Sequence, residues 1–574
     1  MLSCRLVFTC PPPTVHRSVS AQSPNPALVT QRAVQRLPRL ALLLLCAAYI
    51  LPGVFGRDPW KNADITAYGY MTSLARGEAS WLHPAIAGLV GTEGGVLPYW
   101  IGAAFMKALS PWMDPALAAR LPFALLLTAT LALVWYATLH LARTEAAQPV
   151  AFAFGGEANP VDYARAMADG ALLALMASLG LLQLGHETTP ELVQLAATAL
   201  LLYALAASPY RPRLSRVAAA VALTGLAASG AATTGLLMGL AGSLVCWRSS
   251  YAPSRRLVPW LLGACVLAAV IGTLLDAWVS RLSPLPELLA MPKLIGWFTW
   301  PVWPLAAWTL WRWRRQLLKR HLSIPLAIGL VALVVSAAMG GSDRALMLSL
   351  PALAVLGAFA LPTLQRSVSA AIDWFSVFFF SISALIIWVI YVAMHTGVPT
   401  QPAANVARLA PEFVPQFSLP ALGIALAGTV AWLALVRWRT GRHQHALWKS
   451  LVLPAGGVAL SWLLLMTLWL PLLDHARSYR PLVQRLALHL PDDGCVATAN
   501  LTRSQLAALE VHGPWRLSLD PRATDCRWLL VGHKERVNTP AALQQTPQMT
   551  GWTLVARERR PSDRDEVMLV YRRP

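Results

Sequence analysis

The sequence has 574 residues, of which 56% are hydrophobic and only 13% are charged, and its mean hydropathy is +0.51. A soluble protein carries about 25% charged residues, so this composition argues against an ordinary soluble enzyme and indicates a membrane protein. The formal net charge is +20, but the basic residues cluster between apolar segments. That distribution is a topology signal, so nucleic acid is not an expected partner.

Residues 1–39 are mostly polar, with many prolines, serines and arginines, and they predict a cytoplasmic, disordered N-terminus. The first apolar run, 40–55, is not followed by a small-residue cleavage site. We therefore expect an uncleaved first transmembrane helix and not a signal peptide. Arg32, Arg36 and Arg39 precede this run and place its N-terminus in the cytoplasm.

Apolar runs of about helical spanning length continue to residue 470 and predict about 13 transmembrane helices. After the first helix they are expected at 118–141, 168–185, 192–207, two short helices within 217–247 that turn near Ser229–Thr234, 257–277, 296–311, either side of 340–344, 371–394, 417–436 and 448–470. Basic loops such as 312–320 are expected inside, which leaves residues 56–117 and the C-terminus outside. The fold class is thus an α-helical polytopic membrane protein, with a transmembrane domain over 40–473.

Residues 474–574 predict a small soluble α/β domain on the periplasmic side. Segments 526–533 and 566–573 alternate like β-strands, and 478–491 is typical of an amphipathic helix. Cys495 and Cys526 lie in this domain. In an oxidising compartment they are candidates for a disulfide, with two buried free thiols as an equal alternative.

The first external segment, 56–117, is too long for a simple connection. It contains many tyrosines and tryptophans, which favour the membrane interface, and its apolar part 95–111 is too short to span comfortably. We expect a juxtamembrane or re-entrant helix there, near the candidate acids of the segment.

Several motifs in this order resemble the GT-C glycosyltransferases, of the aminoarabinose transferase and protein O-mannosyltransferase type (glycosyltransferase families 39 and 83). The motifs are Asp64-Ile65-Thr66-Ala67-Tyr68, MTSLARGEASWLHP (71–84), LPYW (97–100), AARLPFALL (118–126), HETTPE (186–191) and SDRALMLSLPALAVLGAF (342–359). The resemblance implies a GT-C-like inner-membrane enzyme that moves a sugar from a polyprenyl phosphate to an acceptor at the periplasmic face. The acceptor would be an envelope lipid such as lipid A, another glycan or a protein.

The resemblance also implies roles for individual residues. Asp64 matches the catalytic acid of the first loop, and Glu191, with Glu187 beside it, matches the acid of the second external turn; Glu191 is equally well explained as an acid at a helix N-terminus. The expected donor-phosphate cations are, in order of preference, Arg344, Arg120, and then Arg57, Lys61, Lys293 and the neighbouring Arg281. The expected substrate-lining residues are Tyr68, His83, Tyr99 and His186, with Trp297, Trp300 and Trp303 beside the lipid chain. No cofactor is expected with certainty, and a divalent cation stays open.

Two positions depart from the family pattern. Ile65 occupies the place of a second acid, and Gly95-Val96-Leu97-Pro98 lacks the lysine that precedes the aromatic motif in the family. These losses keep an inactive homologue acting as an envelope scaffold as an alternative. A transporter or flippase of lipid-linked substrates is the other alternative. Transporters usually place ionisable residues at mid-membrane, whereas few ionisable residues fall inside the predicted spans of this sequence.

Overall fold

A computed structural model describes residues 25–91, 95–278, 291–441, 446–492, 494–521, 525–534, 551–563 and 566–573. Arg281, and the part of the predicted disordered terminus before residue 25, lie outside the described residues. The helices of the first half are α1 Arg39–Ile50, α2 Ala63–Arg76, α3 Leu97–Leu109, α4 Pro115–Ala142, α5 Pro160–Ala177, α6 Leu179–Leu184, α7 Pro190–Ala207, α8 Pro212–Ala228, α9 Ala232–Trp247, α10 Ala252–Arg255 and α11 Val258–Leu274. The following helices are α12 Met291–Phe298, α13 Val302–Arg312, α14 Arg320–Ala338, α15 Asp343–Met347, α16 Leu350–Ala358, α17 Arg366–Thr396, α18 Thr400–Leu409, α19 Leu419–Thr440 and α20 Lys449–Leu468.

Within the described residues, eight helical segments are long and apolar enough to cross a bilayer, and α1 and α9 are shorter apolar helices. The polytopic helical fold is therefore confirmed, whereas the expected count of 13 spans is not. The predicted spans 168–185 and 296–311 are each divided in the structure, at Ser178 and around Pro301. Proline ends a helix because it lacks the N–H that the next turn requires.

Several helix starts follow directly from the local sequence. The Asp114 side chain caps α4 by accepting from the Leu117 N–H at 3.1 Å, and a proline follows at the first helical position. Asn159 caps α5 in the same way. Both combinations satisfy or remove N–H groups that have no partner inside the helix.

The first external segment is folded against the rest of the protein. α2 packs on α3, and a two-stranded hairpin of β1 Ala85–Ile86 and β2 Leu89–Val90 lies between them in sequence. α3 coincides with the expected juxtamembrane helix and buries Tyr99 and Met106.

Gly95 explains one departure from the family pattern. Its φ is +129°, and a Cβ atom there would lie 2.3 Å from the Gly230 backbone nitrogen, in the turn between α8 and α9. Only glycine combines this backbone conformation with so close an approach. A lysine side chain therefore does not fit at this position of the structure.

The C-terminal domain has a mixed five-stranded sheet. Its elements are α21 Leu470–Arg477, α22 Arg480–Leu486, β3 Cys495–Ala499, α23 Arg503–His512, β4 Arg516–Ser518, β5 Trp528–Lys534, β6 Thr553–Arg559 and β7 Glu566–Arg572. The strand order is β4-β3-β5-β7-β6, with β3 parallel to β4 and β5 and the other pairs antiparallel. A disulfide joins Cys495 at the start of β3 to Cys526 just before β5. The α/β prediction is confirmed, although the helix expected over 478–491 is shorter.

Residues 25–38 differ from the expected disorder. Ala27, Val29 and Val34 are buried in the main core, and Thr30 forms a β-bridge with Glu157. Apolar side chains spaced along this segment have a surface to pack on, which composition alone does not reveal.

Candidate active site

Asp64 is the centre of a buried hydrogen-bond network at the start of α2. Its side chain is 1% exposed. Oδ1 accepts from the N–H and the hydroxyl of Thr188, both at 2.8 Å, and Oδ2 accepts from the Trp60 N–H at 3.1 Å and from Arg57 Nη2 at 3.2 Å. Burial raises the pKa of Asp64, whereas Arg57, Arg120 and the Thr188 hydrogen bonds lower it. The lowering effects together exceed the effect of burial, so the pKa is below its usual value. Asp64 is therefore a carboxylate at neutral pH.

Arg57 is the main cation beside this carboxylate. The residue is 2% exposed, and its Nη2 donates both to Asp64 and to the His186 carbonyl at 2.7 Å. Its Nε and Nη1 are buried and have no hydrogen-bond partner among the described residues. A buried donor without an acceptor is costly, so these two nitrogens are unsatisfied donors of the network.

Arg120 adds a second buried guanidinium. It is 4% exposed, lies within electrostatic reach of Asp64 and Arg57, and its Nε has no partner among the described residues. A third electrostatic neighbour, Asp474, has its pKa raised to about 7 by burial and by the nearby Asp58, so it is only partly ionised at neutral pH. The positive charge of the two guanidinium groups thus exceeds the negative charge of the ionised carboxylates beside them, so the cluster has a net positive charge.

The turn 186–191 connects this network to α15. Arg344 donates to Glu187 at 2.5 Å, to Thr189 at 3.2 Å and to Glu191 at 3.4 Å. The same turn supplies Thr188 to Asp64, so Arg344 and Asp64 both hold it in place. The sequence prediction ranked Arg344 first among the cations for the donor phosphate. Because two carboxylates already bind its guanidinium group, Arg344 is a weaker candidate than that rank implies.

His186 lies inside this arrangement and not on a cavity wall. Its two ring nitrogens face the carbonyl oxygens of Leu182 and Tyr49 at 2.7 and 2.8 Å. Burial is the main cause that lowers its pKa to about 4. A structural role in fixing the turn therefore explains this residue, as it does for Glu187.

A polar cavity of about 910 Å³ opens beside the network, between the first external segment and the C-terminal domain. The charged, polar and aromatic residues of its wall are Arg57, Asp58, Tyr68, Thr72, Arg76, Lys107, Ser110, Asp114, Arg480, Gln484 and His512. Arg480 donates to both oxygens of Asp58 at 2.8 and 2.7 Å. Burial and Arg480 lower the pKa of His512 to about 4, so it lines the wall as a neutral ring.

The structure brings together six of the predicted residues, namely Arg57, Asp64, His186, Glu187, Glu191 and Arg344, and it places Arg120 and Tyr68 next to them. Four others lie elsewhere. Lys61 forms an ion pair with Asp563 at 2.6 Å, and Lys293 is exposed on α12. His83 is exposed beside its β-bridge to Ser80, and Tyr99 packs on Tyr70 in the core.

Sequence reasoning did not find the contribution of the C-terminal domain to the cavity. Arg480 and His512 are more than 400 positions from Arg57, and no local pattern signals their proximity. Thr188 was also missed, because a threonine in a turn is not distinctive and Thr189 beside it is equally polar. Within the described residues no group of three His, Cys, Asp or Glu side chains is placed to hold a metal ion.

A second, apolar cavity of about 580 Å³ lies between α13 and α17. Trp297, Trp300 and Trp308 line it together with Phe375 and Phe379. The expected third tryptophan, Trp303, is not on its wall and donates to the Gly296 carbonyl at 3.2 Å.

No protein-family model matches this sequence, and no curated protein does. Among solved structures, the chain is similar to ArnT from Cupriavidus metallidurans, in a crystal structure with undecaprenyl phosphate bound and in another in the apo state. The TM-scores are 0.58 and 0.57 at 14% and 15% sequence identity, over 93% of this chain and 97% and 96% of ArnT. Likeness at this identity shows the fold, and it confirms the GT-C fold that the ordered motifs implied.

Proposed function

We propose that this protein is a GT-C glycosyltransferase that transfers a sugar from a polyprenyl-phosphate donor to an envelope lipid, glycan or protein. The reaction would take place at the periplasmic face of the inner membrane. The observation that carries the proposal is Arg57, which lies beside a large polar cavity and whose buried Nε and Nη1 lack partners among the described residues. The fold supports it, because ArnT has been crystallised with undecaprenyl phosphate.

A phosphate is the ligand that best fits these unused donors. Guanidinium groups bind phosphate oxygens through paired, charge-assisted hydrogen bonds. Arg57 and Arg120 have a positive excess over Asp64, and an anion between them would compensate it. The same charges would stabilise the leaving polyprenyl phosphate as the bond between the anomeric carbon and the phosphate oxygen breaks.

Asp64 has two roles in this scheme. In the structure, its four hydrogen bonds hold Arg57 and the turn that bears Thr188. When Arg57 turns toward the donor phosphate, Oδ2 gains a free lone pair. The carboxylate then orients the acceptor hydroxyl and takes its proton as the acceptor oxygen attacks the anomeric carbon.

The apolar cavity supports a lipid donor. Its wall of Trp297, Trp300, Phe375 and Phe379 suits a hydrocarbon chain. The helix α12, which carries Trp297, packs on α15, which carries Arg344. A polyprenyl chain in this groove would therefore have its phosphate end near the buried network.

Native mass spectrometry of the purified protein with undecaprenyl phosphate and with undecaprenol tests the phosphate site. We expect Arg57→Gln to reduce retained undecaprenyl phosphate at least tenfold and to leave undecaprenol unchanged. Arg366→Gln, an exposed position at the start of α17, is the matched control. Equal retention by wild type and Arg57→Gln would contradict the proposal.

The acceptor needs a separate measurement. Mass spectrometry of envelope lipids and glycoproteins from a deletion strain should show the loss of one sugar, restored by the wild-type protein and not by Asp64→Asn. An unchanged envelope would favour the scaffold alternative.

A further inference from the structure

A second polar cavity, of about 500 Å³, lies at the opposite end of α4 from the candidate active site. It is lined by Tyr136, Leu139, His140, Arg143, Tyr203, Tyr210 and Arg211. Arg120 and Arg143 are 23 positions apart on or just beyond α4, which corresponds to about 35 Å along a helix. The two cavities are thus separated by about the thickness of a bilayer core.

The basic side chains of this cavity have unused hydrogen-bonding capacity. Arg143 and Arg211 are exposed. Their backbone N–H groups bond the carbonyls of Leu139 and Ala207, but their guanidinium groups form neither a hydrogen bond nor an ion pair with other described residues. The Arg143 guanidinium lies over the Tyr210 ring at 5.2 Å. His140 stacks on Tyr210 at 5.3 Å and lies tilted to Tyr203 at 5.9 Å. The aromatic contact orients Arg143 without neutralising its charge.

His140 provides an independent indication of a ligand. It is 5% exposed, and its Nδ1 is buried with no hydrogen-bond partner among the described residues. A buried polar nitrogen at a cavity wall is satisfied by a bound group or by water. A solvated basic loop, which the positive-inside pattern alone would produce, does not require such a nitrogen.

The chemistry of the wall selects the ligand class. Two guanidinium groups line the cavity and, within the part of the chain that the structure describes, no carboxylate does, so the site favours an anion. The fork of N–H donors on arginine matches phosphate oxygens, and phenol groups add donors. The wall also contains Tyr136, which is 50% exposed on a helix that is apolar enough to span the membrane, so a lipid can reach the cavity from the side.

We propose that this cavity binds the phosphate headgroup of an anionic phospholipid, in the leaflet opposite the candidate active site. Arg143 and Arg211 bind the phosphate oxygens, and His140 binds a further headgroup oxygen. The topology predicted from the sequence makes this the cytoplasmic leaflet. The site is independent of the donor phosphate proposed for Arg57, because the two lie at opposite ends of α4.

Native mass spectrometry of the full chain released from nanodiscs tests this site. Nanodiscs of phosphatidylcholine with 20% phosphatidylglycerol are compared with nanodiscs of phosphatidylcholine alone. We expect wild type to retain phosphatidylglycerol. The double variant Arg143→Gln/Arg211→Gln should retain about tenfold less phosphatidylglycerol than wild type. Arg213 is exposed at the start of α8, two positions from Arg211, and does not line the cavity. Arg213→Gln should therefore retain phosphatidylglycerol within about twofold of wild type.

A second arm uses inorganic phosphate with protein in pure phosphatidylcholine nanodiscs. Protection of the protein against heat by phosphatidylglycerol, but not by millimolar phosphate, supports a lipid headgroup; equal protection by phosphate overturns the lipid assignment. His140→Gln serves as a milder variant if the double variant does not fold, and it should lower phosphatidylglycerol retention several-fold. Equal loss in Arg213→Gln, or no loss in any cavity variant, would overturn the site.

Discussion

Asp64→Asn tests the buried network most directly. An amide keeps only one acceptor oxygen, so it can serve either the two Thr188 donors or the Arg57 and Trp60 donors, but not all four. Each buried donor left unpaired costs about 1–3 kcal/mol. Breaking a buried ion pair from one side costs about 3–5 kcal/mol. Because these costs overlap, we expect the free energy of unfolding to fall by about 3–5 kcal/mol.

The assay is unfolding of the purified protein in mixed micelles, followed by tryptophan fluorescence, together with sugar transfer from a polyprenyl-phosphate donor. Asp114→Asn is the matched control, because it makes the same chemical change at an exposed helix cap on the cavity wall. Asparagine caps helices as well as aspartate does, so this control should lose less than about 0.5 kcal/mol. If the free energy of unfolding of Asp64→Asn lies within about 1 kcal/mol of the wild-type value and the variant keeps full transfer activity, the reasoning is refuted.

Two further predictions concern the residues around this network. Arg344→Met leaves Glu187 buried without its cation, so it should destabilise the protein by about 3–5 kcal/mol. Adding Glu187→Gln should restore more than half of that loss. If the losses of stability of the two single variants simply add in the double variant, Arg344 and Glu187 do not pair directly. Asp474 has a folded-state pKa of about 7, above the ordinary value of an aspartate, so its ionisation in the folded protein is disfavoured and stability should fall as pH rises from about 4 to 7. Asp474→Asn should lack that part of the pH dependence in unfolding midpoints measured across this window, and a profile identical to wild type would show that Asp474 titrates normally.

The helical part of the fold was largely predictable, because hydrophobic length and breakers act locally. The turn between α8 and α9 falls where the small residues Ser229–Thr234 predicted it. By contrast, no helix was predicted between the spans 371–394 and 417–436, although the structure has α18 there. Proline is compatible with the first turn of a helix, and the amphipathic pattern of that short segment was overlooked.

The candidate site was predictable only in part. The resemblance assigned both Asp64 and the turn 186–191 to the site, and the structure joins them across 124 positions through Thr188. The partner of each charge was not predictable, because pairing depends on rotamers and distances. Arg344 was expected to face a phosphate and binds Glu187 and Glu191, whereas Arg57, ranked lower, has the unused donors.

The C-terminal domain is fastened to the first external segment at several points. Arg480 binds Asp58, Lys61 binds Asp563, and the Trp60 indole donates to Asp474 at 2.7 Å. Opening this domain like a hinged lid would break all of these contacts together. The proposed lipid donor does not require such a movement, because the apolar cavity between α13 and α17 is lined by side chains of the transmembrane part and not by the C-terminal domain.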